Sequence, residues 1–187
     1  MPPVQTPALE TGSKPHDFKL KGVDGKTYTL KDVTGPKGML VMFICNHCPY
    51  VKTIASRLAT DMKALQAKGI GVIGIMPNDV TTHPEDSFEN MQKFAAANGF
   101  TFPYVIDETQ ATARAYGAVC TPDFFGYNKA GELQYRGRLD AVNPSKPATP
   151  ETRKELLDAM TQVAETGKAP ADQVPSMGCG IKWKKTG

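Results

Sequence analysis

MLVMFICNHCPYVKTIASRL, residues 39–58, holds two patterns that meet at a pair of cysteines. Met39 to Ile44 is a continuous apolar run, the pattern of a central strand covered on both faces. From Tyr50 the period changes: Val51, Ile54, Ala55, Leu58, Met62 and Leu65 fall at helical spacing, and Lys68-Gly69 closes the segment as a C-cap does. Cys45-Asn46-His47-Cys48 therefore joins a buried strand to a helix N-terminus.

Outward from that junction, Phe18–Leu20 and Thr27–Leu30 flank Asp24-Gly25, a hairpin signal. Ile70–Ile75 reads as a second buried strand, and Pro84 opens a helix predicted to run to about Asn98. A short strand over Phe102–Ile106 and a helix over Glu108–Tyr116 follow. Asp123–Tyr127 and Leu133–Arg138 form a second hairpin, and Pro150–Glu165 a last helix capped by Thr149 in front and Gly167 behind. Strands alternating with helices predict an α/β fold, a central mixed sheet flanked by helices with an N-terminal β-hairpin extension. Residues 1–14, rich in Pro and Thr, read as an arm. Residues 15–187 read as one domain that includes a tail over 168–187.

A chain of 187 residues buries roughly two thirds of its unfolded surface, so it needs no disulfide staples and its 4 cysteines are left for chemistry. The net charge, 22 − 19 = +3, is spread in mixed signs apart from Lys182, Lys184 and Lys185, which argues against a nucleic-acid partner. No apolar run approaches the roughly 20 residues of a membrane span, and the first residues lack the pattern of a secretory signal, so the expected compartment is the cytoplasm.

A helix N-terminus favours an anion, which predicts a thiolate on Cys45 as an exposed nucleophile and Cys48 as its more shielded resolving partner. His47, beside Cys48, is placed to donate to the Cys45 thiolate and make the disulfide more oxidising. Pro49 lacks an N–H and leaves the Cys45 carbonyl unbonded. Half a zinc site is the rival reading, but Cys120 and Cys179 stand alone rather than as a second pair, so a redox pair without metal or cofactor is expected. Cys120 reads equally as a thiol facing the active site and as a small buried hydrophobe. Cys179, between two glycines and ahead of three lysines, reads either as a third thiol or as a tail cysteine without a role. His83 reads as a helix cap ahead of Pro84, with Asp79 in the same loop, and His16 carries no role.

Phe18, Leu20, Asp24, Gly25 and Leu30, then a buried strand, Cys-x-x-Cys and Thr121-Pro122 before a strand together resemble the thioredoxin superfamily. More narrowly they resemble the redoxin or alkyl hydroperoxide reductase type, in its peroxiredoxin-like branch with CNHCPYV and a GC-x-IKWK tail. The resemblance, from about Lys14 to Trp183, implies a thioredoxin fold with a cis proline at Pro122 facing the cysteines. In that setting the backbone of Thr121 and Pro122 would pair with a substrate peptide, and Asn46 would join in binding it. Two departures stand out. Where peroxiredoxins carry a Pro and a Thr ahead of their peroxide-reducing cysteine, which resembles Cys48 in position, this chain has Val41 and Cys45. The Thr121-Pro122 region takes the place of their catalytic Arg.

The expected function is a thiol–disulfide oxidoreductase acting on protein or small-molecule disulfides with a thiol reductant as partner. A thiol-dependent peroxidase and a copper-binding protein using Cys45, His47 and Cys48 are the alternatives.

Overall fold

The structure, a computed structural model, describes residues 2–185. Among these residues the elements are β1 Val4–Gln5, β2 Lys19–Gly22, β3 Thr27–Thr29, α1 Leu30–Val33, β4 Gly38–Phe43, α2 Pro49–Ala67, β5 Ile70–Met76 and α3 Phe88–Asn98. Then follow β6 Tyr104–Ile106, α4 Ala111–Tyr116, β7 Cys120–Thr121, β8 Asp123–Asn128, β9 Leu133–Tyr135, α5 Glu155–Thr166 and β10 Met177–Gly180.

The apolar run is the middle of the sheet. β4 is buried along its whole length and pairs antiparallel with β8, from Gly38 opposite Asn128 to Phe43 opposite Asp123. On its other side the Ile44 N–H donates to the Ile75 carbonyl of β5 at 3.0 Å. β5 runs parallel to β6, β6 pairs with β2, and the β2–β3 hairpin forms around Asp24-Gly25 as predicted. Because strand side chains alternate, the run feeds two cores. Leu40, Met42 and Ile44 meet the buried face of α2 and α5, while Met39, Val41 and Phe43 meet Phe18, Ile73, Val105 and Tyr116. On α2 the helically spaced Leu58, Met62 and Leu65 are fully buried, each worth about 1.5–3 kcal/mol in apolar transfer.

Several expectations are corrected. The helix predicted from Pro84 to Asn98 is interrupted: Pro84–Asp86 is a single 3-10 turn, and Ser87 then caps α3 by accepting from the Asn90 N–H at 3.2 Å. A serine hydroxyl restarts the helix there, which lets Asp86 point into the protein. α4 starts at Ala111 rather than Glu108, because Gln110 adopts a positive φ of 66° and donates its side-chain amide to the Pro77 and Lys182 carbonyls. α5 starts at Glu155 behind Lys154, so Thr149 is not its cap. Thr149–Thr152 is a separate turn, and Lys154 reaches Asp61 of α2 at 2.9 Å.

The two ends of the chain meet. The Met177–Gly180 stretch, read from sequence as part of a tail, is strand β10, paired antiparallel with β7 on one side and with β1 on the other. Val4 and Gln5, read as part of an arm, are therefore strand residues opposite Gly178 and Met177, and the Thr6 N–H donates to the Ser176 carbonyl at 2.9 Å. The small sheet β1-β10-β7 lies against the N-terminal end of α2.

Candidate active site

Cys45 leaves the end of β4 and stops short of the helix; Cys48 is the N-cap of α2 and Pro49 its first residue. The expectation that Cys45 occupies the helix start is thus corrected by one turn of chain, since only the residue directly ahead of Pro49 faces the free N–H groups. Both thiols are wholly buried, so Cys45 is not the exposed member of the pair. Thr121 and Pro122, joined by a cis peptide bond, close over them. The Thr121 hydroxyl lies 3.4 Å from Cys45 Sγ, and the Thr121 carbonyl lies 3.3 Å from Cys48 Sγ, where it accepts the proton of that thiol in its neutral form.

The electrostatics reverse the expected order of acidity. Hydrogen bonding from Cys45, opposed by burial and helped by Cys179 and the Val51 N–H, brings Cys48 down to about 5. Cys45 moves well above the ordinary thiol range, because its S–H is held by Cys48, because burial disfavours a charge, and because Asp86 and Cys48 are negative neighbours. One proton and one charge are thus divided between two sulfurs, the charge resting on Cys48. Cys120 is buried and pushed up, chiefly by desolvation, with its sulfur 3.6 Å from the Pro122 carbonyl. Of its two readings, the small buried hydrophobe fits.

Asp86 is fully buried beside the pair. It accepts from the Asn46 N–H at 2.8 Å and the Asn78 side-chain amide at 2.9 Å, and its Oδ2 lies 2.6 Å from His47 Nδ1. That histidine contact is off-line, an electrostatic approach rather than a well-aimed hydrogen bond. The expected pairing of His47 with a Cys45 thiolate is replaced by this contact. The His47 ring also stacks on His83, with centroids 5.6 Å apart. His83 makes no side-chain cap; its Nδ1 meets the Thr82 hydroxyl at 2.8 Å. Asp79 serves its own loop, accepting from Thr81 and Thr82. The His16 ring packs edge-on to Tyr116.

Asn46, expected to contact substrate, turns inward. Its amide donates to the Glu85 carbonyl at 3.1 Å and its Oδ1 accepts from the buried Tyr104 hydroxyl at 2.8 Å, so it fixes the Cys45–Cys48 turn to the 3-10 turn. The Thr121 backbone edge, expected to receive a substrate strand, is paired by Cys179 of β10. Asp86 and Tyr104 escaped sequence reading because neither adjoins the cysteines in the chain. A polar Asp ahead of a capping serine was the one available signal.

Cys45, His47 and Asp86 bring possible ligand atoms within 4.8 Å of one another. Two ligands on a tetrahedral zinc with bonds of about 2.1 Å stand roughly 3.4 Å apart, and the 2.6 Å between His47 and Asp86 is shorter. These residues are set for contact with each other, and an ion would have to part them.

The fold is thioredoxin-like, as in solved structures that superpose on it, and with its family model and curated relatives it defines a thiol-based oxidoreductase of the redoxin class. The chain belongs to the AhpC/TSA family, whose model matches residues 11–136. It is similar to the thiol-disulfide oxidoreductase ResA of Geobacillus thermodenitrificans, 27% identical over 127 residues, 68% of this chain and 68% of that one. A Mycobacterium tuberculosis protein with a provisional peroxiredoxin name is 25% identical over 131 residues, 70% of this chain and 78% of its own. The crystal structure of an uncharacterised conserved protein from Geobacillus kaustophilus superposes with a TM-score of 0.90 at 40% identity, covering 100% of this chain and 99% of that one.

Proposed function

We propose that the protein is a thiol–disulfide oxidoreductase in which Cys48 is the attacking thiol and Cys45 the resolving one. The observation that carries this reading is the division of charge within the pair, a thiolate at the helix N-cap against a protonated neighbour. The Cys48 thiolate attacks one sulfur of a substrate disulfide; a mixed disulfide forms, and the departing thiolate takes up a proton. Cys45 then loses its proton and attacks Cys48 Sγ, closing the Cys45–Cys48 disulfide and releasing the second substrate thiol. The substrate is reduced by two electrons and the pair oxidised by two, to be restored by a thiol reductant.

Peroxide reduction is the second reading, supported by the acidity of Cys48 and by the similarity to the mycobacterial relative. The neighbours of Cys48 weigh against it. The Thr121 carbonyl beside its sulfur is an acceptor and cannot polarise a peroxide.

Reaction of the Cys45→Ser variant with a small aromatic disulfide, followed by mass mapping, tests the assignment. With Cys179 also replaced by serine in that variant, so that no neighbouring thiol can resolve it, a stable adduct is expected on Cys48. An adduct on any other cysteine of that variant, or consumption of one equivalent of hydrogen peroxide faster than of disulfide, refutes it.

A further inference from the structure

Cys45 and Cys48 are sealed from solvent, and Cys179 is the one cysteine that is not buried. Its sulfur lies 2.9 Å from Cys48 Sγ, so about 0.9 Å of movement reaches the bond length of a disulfide. The position is built by the fold. β10 fills the open edge of β7, with Cys179 opposite Thr121 and Gly180 opposite Cys120, and β1 holds its far side. Gly178 permits the approach, because a Cβ there would overlap the Thr121 carbonyl. Strands β1 and β10, which carry this arrangement, lie outside residues 11–136, the part of the chain that matches the family model.

We propose that Cys179 is a third redox thiol, the relay through which the buried Cys45–Cys48 pair exchanges with a thiol reductant. The inference rests on the reading of Cys45 and Cys48 as the redox pair. Once these two are oxidised, Cys179 gives its proton to solvent and its thiolate attacks Cys48 Sγ. The Cys48–Cys179 bond forms, the Cys45–Cys48 bond breaks, and the departing Cys45 thiolate takes up a proton. No electrons leave the protein in this step. A monothiol reductant then attacks the partly accessible Cys179 sulfur, forming a mixed disulfide and releasing Cys48 as its thiolate. A second monothiol attacks the reductant sulfur of that mixed disulfide, so that the reductant departs as its own disulfide and Cys179 is a thiol again. Two electrons have entered by way of the tail.

The geometry supports the direction of attack. The Cys179 thiol is pushed up to about 12 by burial and by its bond to the Cys48 thiolate, while Lys182 acts the other way. In the oxidised pair Cys48 carries no charge, so its two contributions vanish and the lysine and solvent contact remain.

The test uses the full chain and glutathione. In a glutathione redox buffer the Cys45→Ser variant should form a Cys48–Cys179 disulfide, seen as a linked peptide after digestion without reduction; its absence overturns the relay. Oxidised wild type and oxidised Cys179→Ser are then mixed with reduced glutathione. The variant should be reduced at least tenfold more slowly while still forming the Cys45–Cys48 disulfide. An equal rate refutes the relay and leaves the pair's own reading intact. Failure of wild type to form any Cys45–Cys48 disulfide refutes both. Gly178→Ala, which keeps every sulfur but lifts β10, should slow glutathione reduction in the same way, and an unchanged rate counts against the relay.

Discussion

Replacing Cys45 with alanine removes the largest cause of Cys48's acidity, the S–H that donates to its thiolate. A hydrogen bond to a charged group is worth about 1.5–3 kcal/mol, and one pH unit corresponds to about 1.36 kcal/mol, so the Cys48 pKa should rise by roughly 1–2 units. The starting point is about 5, which brings the variant to between about 6 and 7. Cys179→Ala removes the lesser sulfur donor and should give a smaller rise. Cys45→Ser keeps a donor and should leave Cys48 acidic. Ultraviolet absorbance of the thiolate, followed across pH in the reduced proteins, reads the titration directly and does not require a reagent to enter the sealed site. If the low titration is unchanged in Cys45→Ala, the hydrogen bond is not its cause. If the low titration disappears altogether, the acidic thiol is Cys45 and the roles are reversed.

Because the folded pKa of Cys48 lies below that of an unfolded thiol, its ionisation stabilises the reduced protein above the unfolded value, and that stability is lost as pH falls through the folded one. Denaturant unfolding of the reduced protein should therefore weaken as pH drops from about 9 towards 5, with a slope reaching about 1.4 kcal/mol per unit, and Cys48→Ser should flatten it. Asp86→Asn removes a negative neighbour of Cys45 and an acceptor for Asn46 and Asn78. It should lower the Cys45 pKa and cost about 1–3 kcal/mol in unfolding; a variant with both unchanged would show that Asp86 is not coupled to the site. Arg136→Met should cost about 3–5 kcal/mol, since buried Asp123, already raised by desolvation, loses the cation that offsets it; a loss below about 1 kcal/mol in chemical denaturation would refute the pairing's importance.

The parts of the fold legible in the sequence are those governed by local periodicity. Met39–Ile44 and Ile70–Ile75 are strands because continuous apolar runs suit a sheet buried on both faces, and α2 follows the spacing of Val51 to Leu65. The helix starts near Pro84 and Pro150 were not legible, because a proline can open a helix but does not oblige it to begin. At Ser87 a side-chain cap decided the start, and the segment before Glu155 formed its own turn instead.

The sequence by itself determined that a Cys-x-x-Cys turn would end a buried strand and introduce a helix, since those features are written in neighbouring residues; that Thr121-Pro122 would face the turn came only from the family resemblance. Which cysteine bears the charge was decided only by tertiary structure. A thiol's acidity is set by burial and by donors and charges within a few ångströms; besides the bond between Cys45 and Cys48, these come here from Thr121, Asp86 and Cys179, residues up to 131 positions away in the chain. The tail strand is the clearest case: MGCG has no strand periodicity of its own. It becomes β10 because β1 and β7 offer unpaired backbone on either side, and that pairing is what brings a third sulfur to the site.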